Sequence, residues 1–207
     1  AIIVGDDAKM FSFIVSYKFD AVAKVLETFN SACDKILKEI VDAALWAPSG
    51  VNLQPWYYVV IRTPEKMTRL KEMMSVVSDR DRPHLEERFS AHPEVVKTTL
   101  SFISTLGGAP AVVLAFRDKP DYTWALLDEG VVQSVAASME NLVLSAYDHG
   151  VSSCWMTAAN QAHMTKDLRD EFAPGHGELV GIIALGYNAA EEAPKAPKRK
   201  ADKFVLI

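Results

Sequence analysis

Residues Ala43 to Tyr58 read AALWAPSGVNLQPWYY. A helical stretch runs into Pro48-Ser49-Gly50, a polar loop carries Asn52 and Gln54, and Pro55-Trp56 opens the apolar run Tyr57 to Ile61. Pro48 disfavours helical geometry at Ala47, so the helix must end there. A helix-to-strand corner seldom needs a serine, a glycine, an asparagine and a glutamine within six positions. Amide side chains both donate and accept hydrogen bonds, which suits a planar polar ligand with carbonyls and ring nitrogens. An ordinary turn between helix and strand is the competing reading.

Working outward, Asp34 to Trp46 is predicted to be an amphipathic helix. Ile36, Leu37, Ile40, Val41, Ala44 and Leu45 form one stripe, and Lys35, Lys38, Glu39 and Asp42 lie largely opposite. Trp56 to Arg62 reads as a buried strand. Thr63 can cap a following helix with Pro64 at its first position. From Ser78 to Ser104 the chain is charged and reads as irregular, helical only toward Val95–Leu100. Ala111 to Phe116 and Leu179 to Leu185 are short apolar strands, and Val151 to Met156 is a third. The longest predicted helix, about Trp124 to His149, closes at Gly150. Its small residues Ala136, Ala137 and Ser138 permit close helix approach. Periodicity alone supports an α/β or α+β sandwich.

Three blocks resemble the nitroreductase family, the FMN-dependent NAD(P)H oxidoreductases. The corner from Ala43 to Tyr58 is similar to that family's N-terminal signature. Asp128 to Trp155 (DEGVVQSVAASMENLVLSAYDHGVSSCW) is similar to its central dimer helix and the next strand. Leu179 to Tyr187, followed by a Pro/Lys-rich tail, resembles its last core strand and C-terminal arm. The resemblance implies an α+β fold in which a central mixed β-sheet is flanked by helices, built as an intertwined homodimer. It implies one domain over residues 1–207, with a lid excursion at 78–104 and a C-terminal arm at 188–207.

The same resemblance implies the site. Pro48, Ser49, Gly50 and Asn52 would lie along the FMN ribityl chain and ring edge, with Gln54 supporting the loop. Trp155, Met156, Thr157 and Ala158 match the strand end and loop near the flavin's reactive face. Corner and strand end are thus expected to face one another across the ring. Family members often carry a Glu-Gly or glycine-rich sequence where this chain has Thr157-Ala158, a change that main-chain contacts would survive. Flavin N5 is the reactive centre, so no side chain is expected to be catalytic. Trp56, Trp124 and Trp155 could shape the pocket or pack the core.

One departure concerns the phosphate. The family begins with an arginine-rich element, whereas the first arginine here is Arg62, and residues 16–31 offer only Lys18 and Lys24. Each charge-assisted hydrogen bond lost there is worth about 1.5–3 kcal/mol. The basic tail carries Lys195, Lys198, Arg199, Lys200 and Lys203. Lys198, Arg199 and Lys200 are the nearest matches to the family's phosphate-binding arm, although a solvated basic tail would look the same.

Composition narrows the function classes. The 207 residues are 49% hydrophobic and 24% charged with a net charge of −5, an ordinary globular profile that argues against nucleic-acid binding. No run approaches a membrane-spanning length, and the N-terminal apolar patches are broken by Asp6, Asp7 and Lys9, against a signal peptide. Cys33 and Cys154 are too few for a disulfide framework and are expected to be buried in a reducing, cytoplasmic setting. The five histidines, His84, His92, His149, His163 and His176, show no metal-ligand spacing and are expected at the surface or at helix ends. No metal is expected. The expected activity is hydride transfer from NADH or NADPH through bound FMN to nitroaromatic, quinone or similar acceptors, by a ping-pong order. The alternative is a divergent homodimer that binds flavin or another ligand without redox turnover.

Overall fold

Ile40 and Ala44, two positions of the first amphipathic stripe, are completely buried, and they seat the first helix on a four-stranded sheet. The structure, a computed structural model, describes residues 30–118, 128–188, 199 and 203–206. In chain order the main elements are α1 (Asn30–Leu45), β1 (Trp56–Ile61), α2 (Pro64–Arg88), α3 (Pro93–Thr105) and β2 (Ala111–Arg117). They continue with α4 (Asp128–Asp148), β3 (Ser152–Met156), α5 (Ala158–Gln161), α6 (Thr165–Phe172) and β4 (Leu179–Gly186).

The strand order is β1-β2-β4-β3. Helices α1 and α4 cover one face, where Ala47, Trp56, Val113, Ala115, Val135, Met139 and Ile183 share a core. Helices α2, α3, α5 and α6 cover the other, over Val112, Leu114, Phe116, Met156 and Ile182. The alternation of Val112 and Leu114 with Val113 and Ala115 follows the two-residue period of a strand. The central strands β2 and β4 are buried almost throughout. β1 is an edge strand with Tyr57 and Val60 exposed, so it is less buried than its apolar run suggests.

The architecture is α+β, as expected, but every described pairing is antiparallel. The topology explains why. Helix α4 carries the chain from the end of β2 to the start of β3, so those two strands point the same way. β4 then inserts between them and pairs antiparallel with both. The parallel pairing that a mixed sheet needs is therefore absent among the described strands.

The segment 78–104 is more regular than its sequence suggests. Helix α2 continues through Ser78 to Arg88, passing Pro83 inside it, and α3 returns to the sheet. The irregular reading followed the charges. The apolar side that Leu70 and Met73-Met74 give the helix after Pro64 continues with Val77 through Asp81 and Leu85, spaced by three or four residues, and that continuation is not announced by the charged sequence. Val96, Leu100 and Ile103 of α3 sit in the same core, which makes the pair a packed helical hairpin.

At the end of α4, Gly150 adopts a left-handed φ of 70°, the conformation expected one residue past a helix end. Gly181 on β4 has a different role. A Cβ there would lie 2.7 Å from Met139 Cε and 2.8 Å from Trp155 Nε1, so only glycine lets α4 settle on the sheet beside that indole.

Candidate functional site

The corner between α1 and β1 is built from an unusual backbone. After Ser49 a 3-10 turn, Gly50–Asn52, contains Val51 at φ 45°, followed by Asn52 at 58° and, after Leu53, Gln54 at 51°. Left-handed geometry at a β-branched residue is a true outlier. Strain of this kind costs about 1–3 kcal/mol per residue and persists only where surroundings over-determine it.

Those surroundings are explicit. Gln54 N donates to Ser49 Oγ at 2.9 Å, Asn52 N to Ser49 O at 3.1 Å, and Leu53 N to Gly50 O at 3.1 Å. Gln54 Nε2 donates to Asn52 Oδ1 at 3.2 Å within the loop. Gly50 N reaches outside it, to Ser134 Oγ on α4 at 3.2 Å. At the exit, Pro55 O accepts from Asp118 N at 2.9 Å, tying the corner to the end of β2.

Pro48, Asn52 and Gln54 are exposed, and Ser49 and Gly50 are half-buried. Three polar groups remain without a partner among the described residues: the Ser49 hydroxyl hydrogen, Asn52 Nδ2 and Gln54 Oε1. These groups offer both donors and an acceptor, which suits a planar polar ligand carrying carbonyl oxygens and an N–H.

The second expected element sits elsewhere. Met156 ends β3, Thr157 precedes α5, and Ala158 is its first residue. β1 begins and β3 ends at the same end of the sheet, because the register runs Val59–Leu114–Ile182–Met156 across it. They occupy opposite edges, three strand spacings or about 14 Å apart. The faces differ too: Trp56 and Ala47 lie under α1 and α4, whereas Ala158 and Ala159 join the core beneath α2 and α3. A single chain therefore does not close the corner and the β3–α5 loop around one ring.

Trp155 is half-buried on the α4 face, and its Nε1 is buried without an acceptor among the described residues. Trp56 is buried in the core, and Trp124 lies outside the described residues. Of the basic tail, Arg199 is exposed, and Lys198 and Lys200 lie outside the described residues. So does the expected phosphate-binding stretch 16–31, except for its last two positions at the start of α1. Cys154 is buried, and burial pushes its thiol up to about 12.

Sequence reasoning missed two features near the corner. The first is a hydroxyl ladder on α4, formed by Ser134 and Ser138, which contact the corner and the end of α1. Ser138 stood out only as a small residue and Ser134 not at all; their spacing of four was the available signal. The second is His176, whose Nδ1 lies 3.0 Å from Asp118 Oδ1 and whose ring stacks on Tyr57 at 3.5 Å. Asp118 and His176 meet because β2 and β4 are paired, and no local pattern announces that.

A model of the Nitroreductase family matches residues 34–187. The chain belongs to this family. As a nitroreductase-family chain it is 25% identical, over 84% of its length, to an iodotyrosine deiodinase of Nematostella vectensis, of which it spans 66%. It is 24% identical to a putative NADH dehydrogenase/NAD(P)H nitroreductase of Archaeoglobus fulgidus, covering 77% of this chain and 76% of that one. Among solved structures it is similar to a BluB-like flavoprotein from Clostridium difficile 630, with a TM-score of 0.62, 26% identity and coverage of 84% and 90%. A nitroreductase with bound FMN from Bacteroides fragilis shares the fold, at a TM-score of 0.60, 23% identity and coverage of 84% and 87%.

Proposed function

We propose that this nitroreductase-family chain is an FMN-dependent oxidoreductase that takes hydride from NADH or NADPH. The observation carrying this reading is the corner: a strained, cross-braced loop that leaves two donors and one acceptor exposed for a planar polar ring. When bound, FMN supplies the hydride-accepting chemistry, while the protein supplies binding, orientation and electrostatics. Ser49 and Asn52 would donate to the ring's carbonyl oxygens, and Gln54 Oε1 would accept from its N–H. Thr157 and Ala158 would present main-chain groups to the reactive face, and the Lys198–Lys200 stretch would neutralise the phosphate. The family match ends at Tyr187, so the phosphate assignment rests on the tail's charge alone.

Because one chain separates the corner from the β3–α5 loop, the complete site is assigned to a homodimer, each flavin shared between a corner and its partner's loop. An exposed apolar surface supports that assembly. Trp46 is 87% exposed beside the corner, and Leu144 and Tyr147 on α4 are 57% and 84% exposed. Donor and acceptor would occupy the site in turn, a ping-pong order, with nitroaromatics or quinones as acceptors. No helix among the described residues is long and apolar enough to cross a membrane, and a cytoplasmic location is part of the proposal.

The test is spectroscopic. Protein loaded with FMN should be yellow, bleach under NADH or NADPH without oxygen, and recover colour when an acceptor is added. A second reading, flavin binding without turnover, is favoured by residues 16–31, which carry Lys18 and Lys24 and no arginine where the family resemblance implies an arginine-rich element. Tight FMN binding with no bleaching would select it, and no FMN binding would defeat both.

A further inference from the structure

We propose that Ser134 is a positioning residue for the cofactor corner: an anchor on α4 that holds the strained loop in its ligand-ready shape. The inference rests on the reading of the corner as a flavin cradle.

The direction of the hydrogen bonds is forced. A serine has one O–H to give, and Ser134 gives its own to Gly130 O, 2.7 Å away on the preceding turn of α4. Toward the corner it can therefore only accept, and Gly50 N–H donates to it at 3.2 Å. Ser134 is only 6% exposed, so water does not readily take its place. Gly50 opens the turn that contains Val51 and Asn52 in left-handed geometry. All the other hydrogen bonds of the turn described above are made within the loop. Ser134 is the contact that fixes the turn's entry to another element.

Ser134 does not act alone on its face. Ser138, one helical turn later, donates to Ala44 O at 2.7 Å and therefore accepts from the Tyr58 hydroxyl at 2.7 Å. Asn141 Nδ2 reaches Ala43 O at 3.4 Å. Positions 134, 138 and 141 fall on one side of α4. Together they clamp the last carbonyls of α1, the first amide of the turn and the middle of β1. The corner thus hangs on α4 at both ends of the bend, and Ser134 is the member touching the loop that carries Ser49, Asn52 and Gln54.

The experiment compares full-length wild type, Ser134→Ala and Ser134→Thr as apoproteins titrated with FMN, with thermal melting and light scattering alongside. Ser134→Ala should weaken FMN at least tenfold and change the visible circular dichroism of the bound flavin, with oligomeric state unchanged. Ser134→Thr, which keeps the hydroxyl, should bind FMN within about threefold of wild type. Should Ser134→Ala fail to fold, amide exchange in wild-type apoprotein decides instead. The Gly50 amide should exchange at least tenfold more slowly than that of Val51 after correction for intrinsic rates; equal rates overturn the anchor. FMN binding by wild type with unaltered affinity in a folded Ser134→Ala overturns this inference alone. Wild type that binds no FMN overturns the functional reading and the cofactor role of Ser134 with it.

Discussion

Asp81 is only 6% exposed on the inner stripe of α2. Burial raises its carboxyl above the ordinary 3.8, and the nearby His84 opposes this only in part. The sign follows from proton linkage. Below pH 3.8 both folded and unfolded chains hold the proton. As pH rises from there through the folded value, the unfolded chain releases it first, so stability falls. Asp81→Asn should therefore raise the melting temperature by a few degrees at pH 7, and the gain should vanish below pH 3.8. Scanning calorimetry across that range checks it; a loss of stability at pH 7 would contradict the burial argument. That Asp81 is charged was plain in the sequence. That it faces inward was legible only once the three-and-four spacing was followed through charged neighbours. The corner was legible for a different reason: proline, glycine and amides act through local geometry and need no distant partner to be noticed.

At the scale of elements, α1 and α4 are joined at both ends of their contact. The hydroxyl ladder holds the end of α1, and His149 at the end of α4 holds its middle. His149 Nε2 lies 3.0 Å from Glu39 Oε2, and Nδ1 lies 2.8 Å from Ser145 O. The bond to Ser145 first, then that to Glu39, raises its pKa above 6.5. A histidine raised in this way stabilises the fold fully below the unfolded value near 6.5. That contribution disappears as pH climbs through the higher folded value. Urea unfolding of wild type should show this decline as pH rises above 6.5, whereas His149→Gln should lack it. Parallel curves would remove the bridge from the account. The expectation of a helix-end histidine was correct in place, and it lacked only the partner. Helices α1 and α4 were legible because each carries one dominant apolar stripe. The stretch of α2 from Ser78 to Arg88 was not, because the exposed Arg80, Arg82, Glu86 and Glu87 mask the inner side.

For the whole molecule, the decisive fact is that two elements expected to meet lie on opposite edges and faces of one sheet. In the proposed homodimer a second copy would unite them, and the exposed side chains of Trp46, Leu144 and Tyr147 are the apolar surface it would cover. Leu144→Asp combined with Tyr147→Asp should convert a dimer to a monomer by light scattering while leaving far-ultraviolet circular dichroism intact. FMN affinity should drop at least tenfold, because each site would lose its partner's half. A double variant that stays dimeric, or a wild type that is monomeric with full FMN affinity, would refute the shared site. The choice of α+β over α/β came from the family resemblance, while local reading of the chain was enough for the helix-to-strand corner and the positions of all four described strands. Those features come from local periodicity, from proline and glycine, and from amide chemistry within six residues. Only the tertiary structure decided that β4 inserts between β2 and β3, that Ser134 braces the corner, and that Asp118 meets His176. Each of these depends on residues between 58 and 84 positions apart, or on strands paired out of chain order. Such contacts are selected by how layers bury their apolar faces, and no short stretch of chain encodes that choice.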